Sequence, residues 1–244
     1  MRLLVSVRSA AEAAAAVAGG ADIVDAKEPS RGALGAVEPT VLRRIAAALP
    51  PGMPMSAALG DFGDPEAAAA AIGRVPCLAR GTGPLYLKLG FAGLGEASGV
   101  DRVVAAAVAA AAARGDDARV VAAGYADHEE AATIAPELVA TLAARRGAAG
   151  ALVDTWTKDG RDLLQWMPGS RLQRWVRLVH EAGLLAGIAG SLRPSSLPLA
   201  QASGADLLGV RGSVCEGGRG GTVRADRVRA LRRLLEGERL LTSG

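Results

Sequence analysis

Cysteine is scarce in this 244-residue chain, occurring only at Cys77 and Cys215. No Cys-x-x-Cys or Cys/His spacing accompanies either one, so neither a disulfide framework nor a zinc site is implied. Histidine is equally scarce, at His128 and His180, and neither supports a metal centre. The longest apolar run, Val103 to Ala113, falls far short of the roughly 20 residues a membrane span needs. The apolar start, Met1 to Val7, is cut off at once by Arg8 and Ser9, so no leader, anchor or membrane contact is expected and a cytoplasmic setting fits the free thiols. Aromatic residues make up 3% of a chain that is half hydrophobic. The core must therefore be built from Ala, Val, Leu and Ile.

Lysine is the most informative shortage. Of 28 basic residues only three are lysine, Lys27, Lys88 and Lys158. Arginine has taken over wherever a generic positive charge suffices, so each remaining lysine is a candidate for chemistry arginine cannot perform. Arginine neither loses its proton near neutrality nor forms an imine, whereas a lysine amine of lowered pKa does both. The net charge of +3 is spread along the chain and gives no nucleic-acid footprint. The densest basic stretch, Arg224 to Arg239, reads as a solvated terminal helix.

Short β-rich runs alternate with alanine-rich amphipathic stretches from end to end, the pattern of repeated βα units around a parallel sheet. Strands are expected at Arg2 to Val7, Ala21 to Ala26, Met53 to Leu59, Leu85 to Leu89, Arg119 to Gly124, Gly150 to Thr155, Leu184 to Ala189 and Ala205 to Val210. Helices are expected at Ala10 to Ala18, Pro39 to Leu49, Pro65 to Arg74, Asp101 to Arg114, His128 to Arg146, Leu172 to Ala182, Ser195 to Ala202 and Ala225 to Glu236. Ser9, Asp64 and Asp127 are candidate N-caps, Gly19, Gly183 and Gly204 candidate stops, and Gly217 to Gly221 a flexible loop. Eight βα units with no linker between them predict an α/β fold, a closed (β/α)8 TIM barrel forming one domain over residues 1–244.

Such barrels carry their chemistry at the C-terminal ends of the strands. All three lysines fall there. Lys27 follows strand 2, Lys88 sits in strand 4 and Lys158 follows strand 6, so they can converge on one pocket. Asp25 and Lys27, two apart, lie on one face of an extended segment and are expected to pair; Asp154 ends strand 6 pointing the same way. Neighbouring cations and partial desolvation would favour the neutral amine that attacks a carbonyl. After strands 7 and 8, Gly190, Ser191, Arg211 and Gly212 are candidates for holding a phosphate on free backbone N–H groups. His180 reads as structural or surface and His128 as a helix-start surface residue. A small phosphosugar substrate, no cofactor, no metal and a homo-oligomeric state complete the expectation.

The segments "VSVRSAAEAAAAVAGGADIVDAKEPSRGALGA", "VVAAGYAD", "VDTWTKDG", "GIAGSL" and "ADLLGVRGSVCEGG" resemble the (5-formylfuran-3-yl)methyl phosphate synthases in order and spacing over essentially the whole chain. The element from Asp25 to Ala36 is the most distinctive. This resemblance implies a lyase that condenses two molecules of glyceraldehyde 3-phosphate into a furan aldehyde phosphate with loss of phosphate and water, for methanofuran-type cofactors. It further implies that Lys27 forms a Schiff base, that Lys88 acts as an acid or base, and that Asp25, Asp154 and Lys158 share the pocket. The loops "GDFGDP" and "FAGLGEASG" depart from the family pattern. On the residues alone, another phosphosugar aldolase, decarboxylase or isomerase, or a non-catalytic phosphosugar-binding protein, stays open.

Overall fold

In the computed structural model, residues 1–78 and 83–237 are described. Strands with apolar side chains on both faces need cover on both sides, and the parallel arrangement supplies it. The eight principal strands are β1 (Arg2–Val7), β2 (Ile23–Ala26), β3 (Met55–Asp61), β4 (Leu85–Gly90), β5 (Ala118–Tyr125), β6 (Gly150–Asp154), β7 (Leu185–Ile188) and β8 (Leu207–Val210). They pair in sequence order, and β8 closes on β1, with Arg2 opposite Leu207 and Val5 opposite Val210. The fold is the expected (β/α)8 barrel.

Around it run α1 (Ala10–Ala18), α2 (Pro39–Ala47), α3 (Pro65–Arg74), α4 (Ala97–Ala113), α5 (Pro136–Arg145), α6 (Leu163–Trp166), α7 (Gly169–Glu181), α8 (Leu197–Ala202) and α9 (Ala225–Leu235). In α7, Leu172, Trp175, Val176 and Val179 recur at helical spacing and are all buried, so this stripe seats the helix on the barrel. Ser9 and Asp64 cap α1 and α3 by accepting from Glu12 N–H and Ala67 N–H. The repeated "GAD" segments close strands from below: Asp22 accepts from Leu3 N–H and Asp206 from Ala186 N–H. Among the described residues, no helix is long and apolar enough to cross a membrane.

Several local expectations are corrected. Helix α4 begins a turn before Asp101, because the Glu96 carbonyl accepts from both Gly99 and Val100. Helix α7 begins at Gly169 rather than Leu172, behind Pro168. Helix α5 begins at Pro136, not His128: the chain between makes turns, with Ala132 at φ 48°. Asp127 therefore caps no helix, and its carboxylate is used elsewhere. The short α6, with its Asp162/Gln165 capping box, was not anticipated. Gly217 to Gly221 forms an ordered 3-10 turn between β9 (Cys215–Glu216) and β10 (Thr222–Val223). A side chain at Gly221 would place its Cβ 1.7 Å from the Glu216 carbonyl oxygen, so only glycine fits. The arginines of α9 bind this chain's own groups: Arg227 donates to the Cys215 carbonyl, Arg229 to that of Ala18, and Arg232 pairs with Asp22. Arg239, the last of that basic stretch, lies outside the described residues.

Candidate active site

The C-terminal ends of β2, β4 and β6 bring the rare lysines together. Lys27, Lys88, Lys158 and Asp154 line a cavity of about 490 Å³ that opens at the mouth of the barrel, a size suited to small ligands. Gly187 and Gly209 on β7 and β8 also line it, so part of the interior that larger residues would fill is left open. Asp25 stands behind this wall, completely buried.

The charges pair across strands rather than along them. The Lys88 Nζ lies 2.8 Å from Asp25 Oδ2, and Ser6 Oγ donates to the same oxygen at 2.7 Å. Asp25 Oδ1 is buried with no hydrogen-bond partner, as is the hydroxyl of Ser56 on β3. The expected Asp25–Lys27 pair does not form. Residues two apart on a strand are displaced by roughly 6.6 Å, so Lys27 projects beyond Asp25 toward the mouth and meets Asp154 instead, Nζ to Oδ2 at 3.6 Å. The other oxygen of Asp154 accepts from Lys158 Nζ at 2.9 Å, and that amine also donates to the Thr155 hydroxyl and carbonyl. Lys158 thus has three acceptors. Lys27 has a single long ion pair among the described residues.

This asymmetry governs the electrostatics. Burial strips water from the Lys27 ammonium and is the main cause of its pKa falling to about 8; Lys88 and Lys158 push the same way, and Asp154 and Asp25 resist. Burial opposes ionisation of Asp154 too, but Lys158 and Lys27, with the Thr155 N–H, outweigh it and hold this carboxyl well below the usual range. The arrangement is a permanently charged carboxylate beside a weakly held amine that is partly neutral near physiological pH. Such an amine can attack a carbonyl.

Asp127 was read as a cap and proves to be a support. It is buried at the end of β5, and its two oxygens accept from Trp156 N–H at 2.8 Å and Thr157 N–H at 2.7 Å. Those residues immediately precede Lys158, so the carboxylate fixes the loop that carries it. The signal was available, since Asp127 stands at a strand end like Asp154, but a cap preference explained it more cheaply. The two loops that depart from the family pattern are joined: Asp61 Oδ1 accepts from the Tyr125 hydroxyl at 2.7 Å and from Ala92 N–H at 2.9 Å.

The loops after β7 and β8 also reach the cavity, with Gly190, Ser191, Arg211 and Gly212 on its wall. Gly190 has φ 110° and Ser191 φ 52°, the latter an uncommon conformation for a side-chain-bearing residue. Among the described residues the N–H groups of Gly190, Ser191, Gly212 and Ser213 donate to no other group. The side chain of Arg211 is tied up within the chain. Its guanidinium is buried, and all five N–H groups are used: two on the Glu12 carboxylate, the others on the carbonyls of Ser6, Arg219 and Gly221. Arg211 can offer an anion its backbone, not its charge. His180 lies on α7 with its ring against Asp206, 3.0 Å away. His128 is partly buried in the turn after β5.

The fold and its relatives define an enzyme built on a (β/α)8 barrel. The chain belongs to the 4-HFC-P synthase family, whose model matches residues 3–232. It is 37% identical over 233 residues to the (5-formylfuran-3-yl)methyl phosphate synthase of Methanosarcina barkeri, covering 95% of this chain and 97% of that one. It is 39% identical over 233 residues to the synthase of the same name from Methanopyrus kandleri, covering 94% and 97%. Among solved structures it is similar in fold to phosphoribosyl anthranilate isomerase from Thermus thermophilus, with a TM-score of 0.63 at 19% identity over 98% of this chain and 100% of that one.

Proposed function

We propose that this chain is itself a (5-formylfuran-3-yl)methyl phosphate synthase, condensing two molecules of glyceraldehyde 3-phosphate through a Schiff base on Lys27. The observation that carries the proposal is the Lys27 amine: buried, its pKa lowered to about 8 and, among the described residues, held only by a 3.6 Å contact with Asp154, in a chain of that family. An amine solvated or tightly bonded at this position would be a poor nucleophile.

In this reading the neutral Lys27 amine adds to a triose carbonyl, and water leaves as the imine forms. The imine acidifies the neighbouring carbon, and loss of that proton gives an enamine that bonds to the aldehyde carbon of the second triose. The Lys88–Asp25 pair, beside Ser6, receives that proton: Lys88 passes one of its own to Asp25 and takes up the substrate's in its place. Asp154 stabilises the cationic imine as it develops, and Lys158 moves protons opposite. The product retains all six carbons and one of the two phosphates, so phosphate and water must leave. The unpaired N–H groups after β7 and β8 bind a phosphate.

The test is to incubate the purified chain with glyceraldehyde 3-phosphate alone and follow the ultraviolet spectrum and product mass. The expected result is a furan aldehyde monophosphate together with free phosphate. Unchanged substrate in the presence of folded protein would defeat the assignment.

A further inference from the structure

With the Arg211 guanidinium consumed by Glu12 and three carbonyls, a phosphate in this cavity has no charge from that residue to meet it. Two other arginines line the cavity, Arg193 after β7 and Arg219 in the β9–β10 hairpin. Arg193 is exposed and reaches away toward loop 6, donating to the Gly160 carbonyl. Arg219 is partly buried, and among the described residues its contacts are with carbonyls alone. Its Nη1 donates to the Pro29 carbonyl at 2.6 Å and its Nη2 to the Gly32 carbonyl at 2.8 Å. Both acceptors belong to the loop that leaves Lys27.

These contacts leave Arg219 incomplete. A carbonyl oxygen carries only partial charge, and among the described residues no carboxylate stands within ion-pair distance of the guanidinium: Asp154 and Glu28 favour its charge only from farther off, so its Nε–H and one N–H on each terminal nitrogen remain available. Burial works against its positive charge. A cation half removed from water without an anionic partner is unfavourable unless something completes it. Its neighbours point the same way. The backbone of the hairpin packs on the loop after β8, where a Cβ on Gly212 would lie 3.5 Å from the backbone nitrogen of Arg219, and Gly212, Ser213 and Arg219 line the same cavity. In that loop, among the described residues, the Gly212 and Ser213 N–H groups are unused and the buried Ser213 hydroxyl has no partner. A guanidinium with three N–H groups to spare, two backbone N–H groups and an unpartnered hydroxyl make a set suited to a dianionic phosphate.

We infer that Arg219 is the residue whose side chain binds a substrate phosphate, with the Gly212 and Ser213 N–H groups and the Ser213 hydroxyl, on the Lys27 side of the cavity. This deepens the proposed function and rests on it for the nature of the substrate. Since the same guanidinium holds Pro29 and Gly32, occupancy of the phosphate site and the position of the Lys27 loop are linked. A phosphorylated triose would seat its carbonyl near Lys27, while unphosphorylated glyceraldehyde would leave the cation uncompleted. Arg219 is thereby a specificity-determining residue for phosphorylated substrates.

The test is calorimetric titration of the full chain with inorganic phosphate at low ionic strength. Arg219→Gln is expected to weaken phosphate binding by about tenfold or more and Arg219→Lys by less, because lysine keeps the charge and loses the fork. Arg224→Gln, which removes an exposed charge from the residue after the hairpin, is expected to bind like the parent. Added guanidinium should restore part of the affinity of Arg219→Ala. Unchanged phosphate affinity in Arg219→Gln would overturn the inference and leave Arg219 as a tie between loops; so would a parent chain that binds no phosphate. Should the variants not fold, the parent chain decides the matter. Phosphate must protect Arg219 from phenylglyoxal, and full modification of that residue in saturating phosphate refutes the site. None of these outcomes depends on furan formation, so failure of the proposed reaction would be recognised separately.

Discussion

Two sets of buried charges stand on neighbouring parts of this barrel and are finished to different degrees. The Glu12–Arg211 pair is closed: both carboxylate oxygens and all five guanidinium N–H groups have partners. The lysine–carboxylate cluster is open: Asp25 Oδ1 has no partner and the Lys27 amine has one long ion pair. A closed pair holds helix α1, strand β1 and the loop after β8 together. An open cluster can still accept protons and bonds from a substrate. The difference follows residue chemistry, since the planar fork of arginine can be fully satisfied and never discharged, while lysine can be discharged by burial. Incomplete satisfaction is the usual mark of a site retained for function rather than for stability.

The largest expected effect comes from removing the nucleophile while keeping the charge. Lys27→Arg should fold and lose turnover by about four orders of magnitude or more in a single-turnover assay; residual activity within tenfold of the parent would contradict the role. Next comes the closed pair, which should answer in stability instead. Arg211→Met leaves the buried Glu12 with only the half-exposed Arg8, 3.5 Å away, as its cation, and a loss of about 3 kcal/mol in denaturant unfolding is expected.

The open cluster should respond to the same measurement with opposite sign. Burial lowers the Lys27 pKa from the ordinary 10.5 to about 8 in the folded chain, so the folded state binds fewer protons across that interval. Its contribution to stability therefore rises with pH through this window, and the penalty is fully present below about 8. Replacing Lys27 with Met should remove that slope and stabilise the protein at neutral pH by up to about 3 kcal/mol. A destabilised Lys27→Met would mean that its ion pair outweighs its desolvation.

A smaller effect separates the supports. Asp127→Asn keeps one acceptor for two N–H groups and should lower kcat roughly tenfold by loosening the Lys158 loop, leaving the thermal midpoint nearly unmoved. The pH profile provides the finest comparison. The value of kcat/KM should rise with pH and level off above about 8 as Lys27 loses its proton. In Asp154→Asn the inflection should move to lower pH, because a carboxylate that holds that proton is gone; an upward movement would reverse the assigned electrostatics.

How far the sequence could be read depends on which interactions run along the chain. Strand order and closure were legible because β-rich apolar runs recur eight times, with glycine stops at Gly19, Gly183 and Gly204, and the lysines stood out because arginine replaces them elsewhere. Pairing was not legible. Asp25 stands two residues from Lys27 in sequence yet binds Lys88 and Ser6, a choice made by packing between strands and invisible in spacing. The place of Arg211 on the cavity wall was legible, but the tying-up of its guanidinium was not, because its partner Glu12 lies 199 residues away. Asp127 and Arg219 were missed for the same reason: one looked like a cap and the other sat in a run of glycines, and each acquires its role from a distant loop.

The most direct test of the central claim is borohydride reduction of the chain in the presence of glyceraldehyde 3-phosphate, followed by peptide mass mapping. The account predicts a reduced triose adduct on Lys27, with loss of turnover in proportion to its formation. Complete reduction chemistry with Lys27 unmodified, or an adduct confined to Lys88 or Lys158 in an active enzyme, would contradict it.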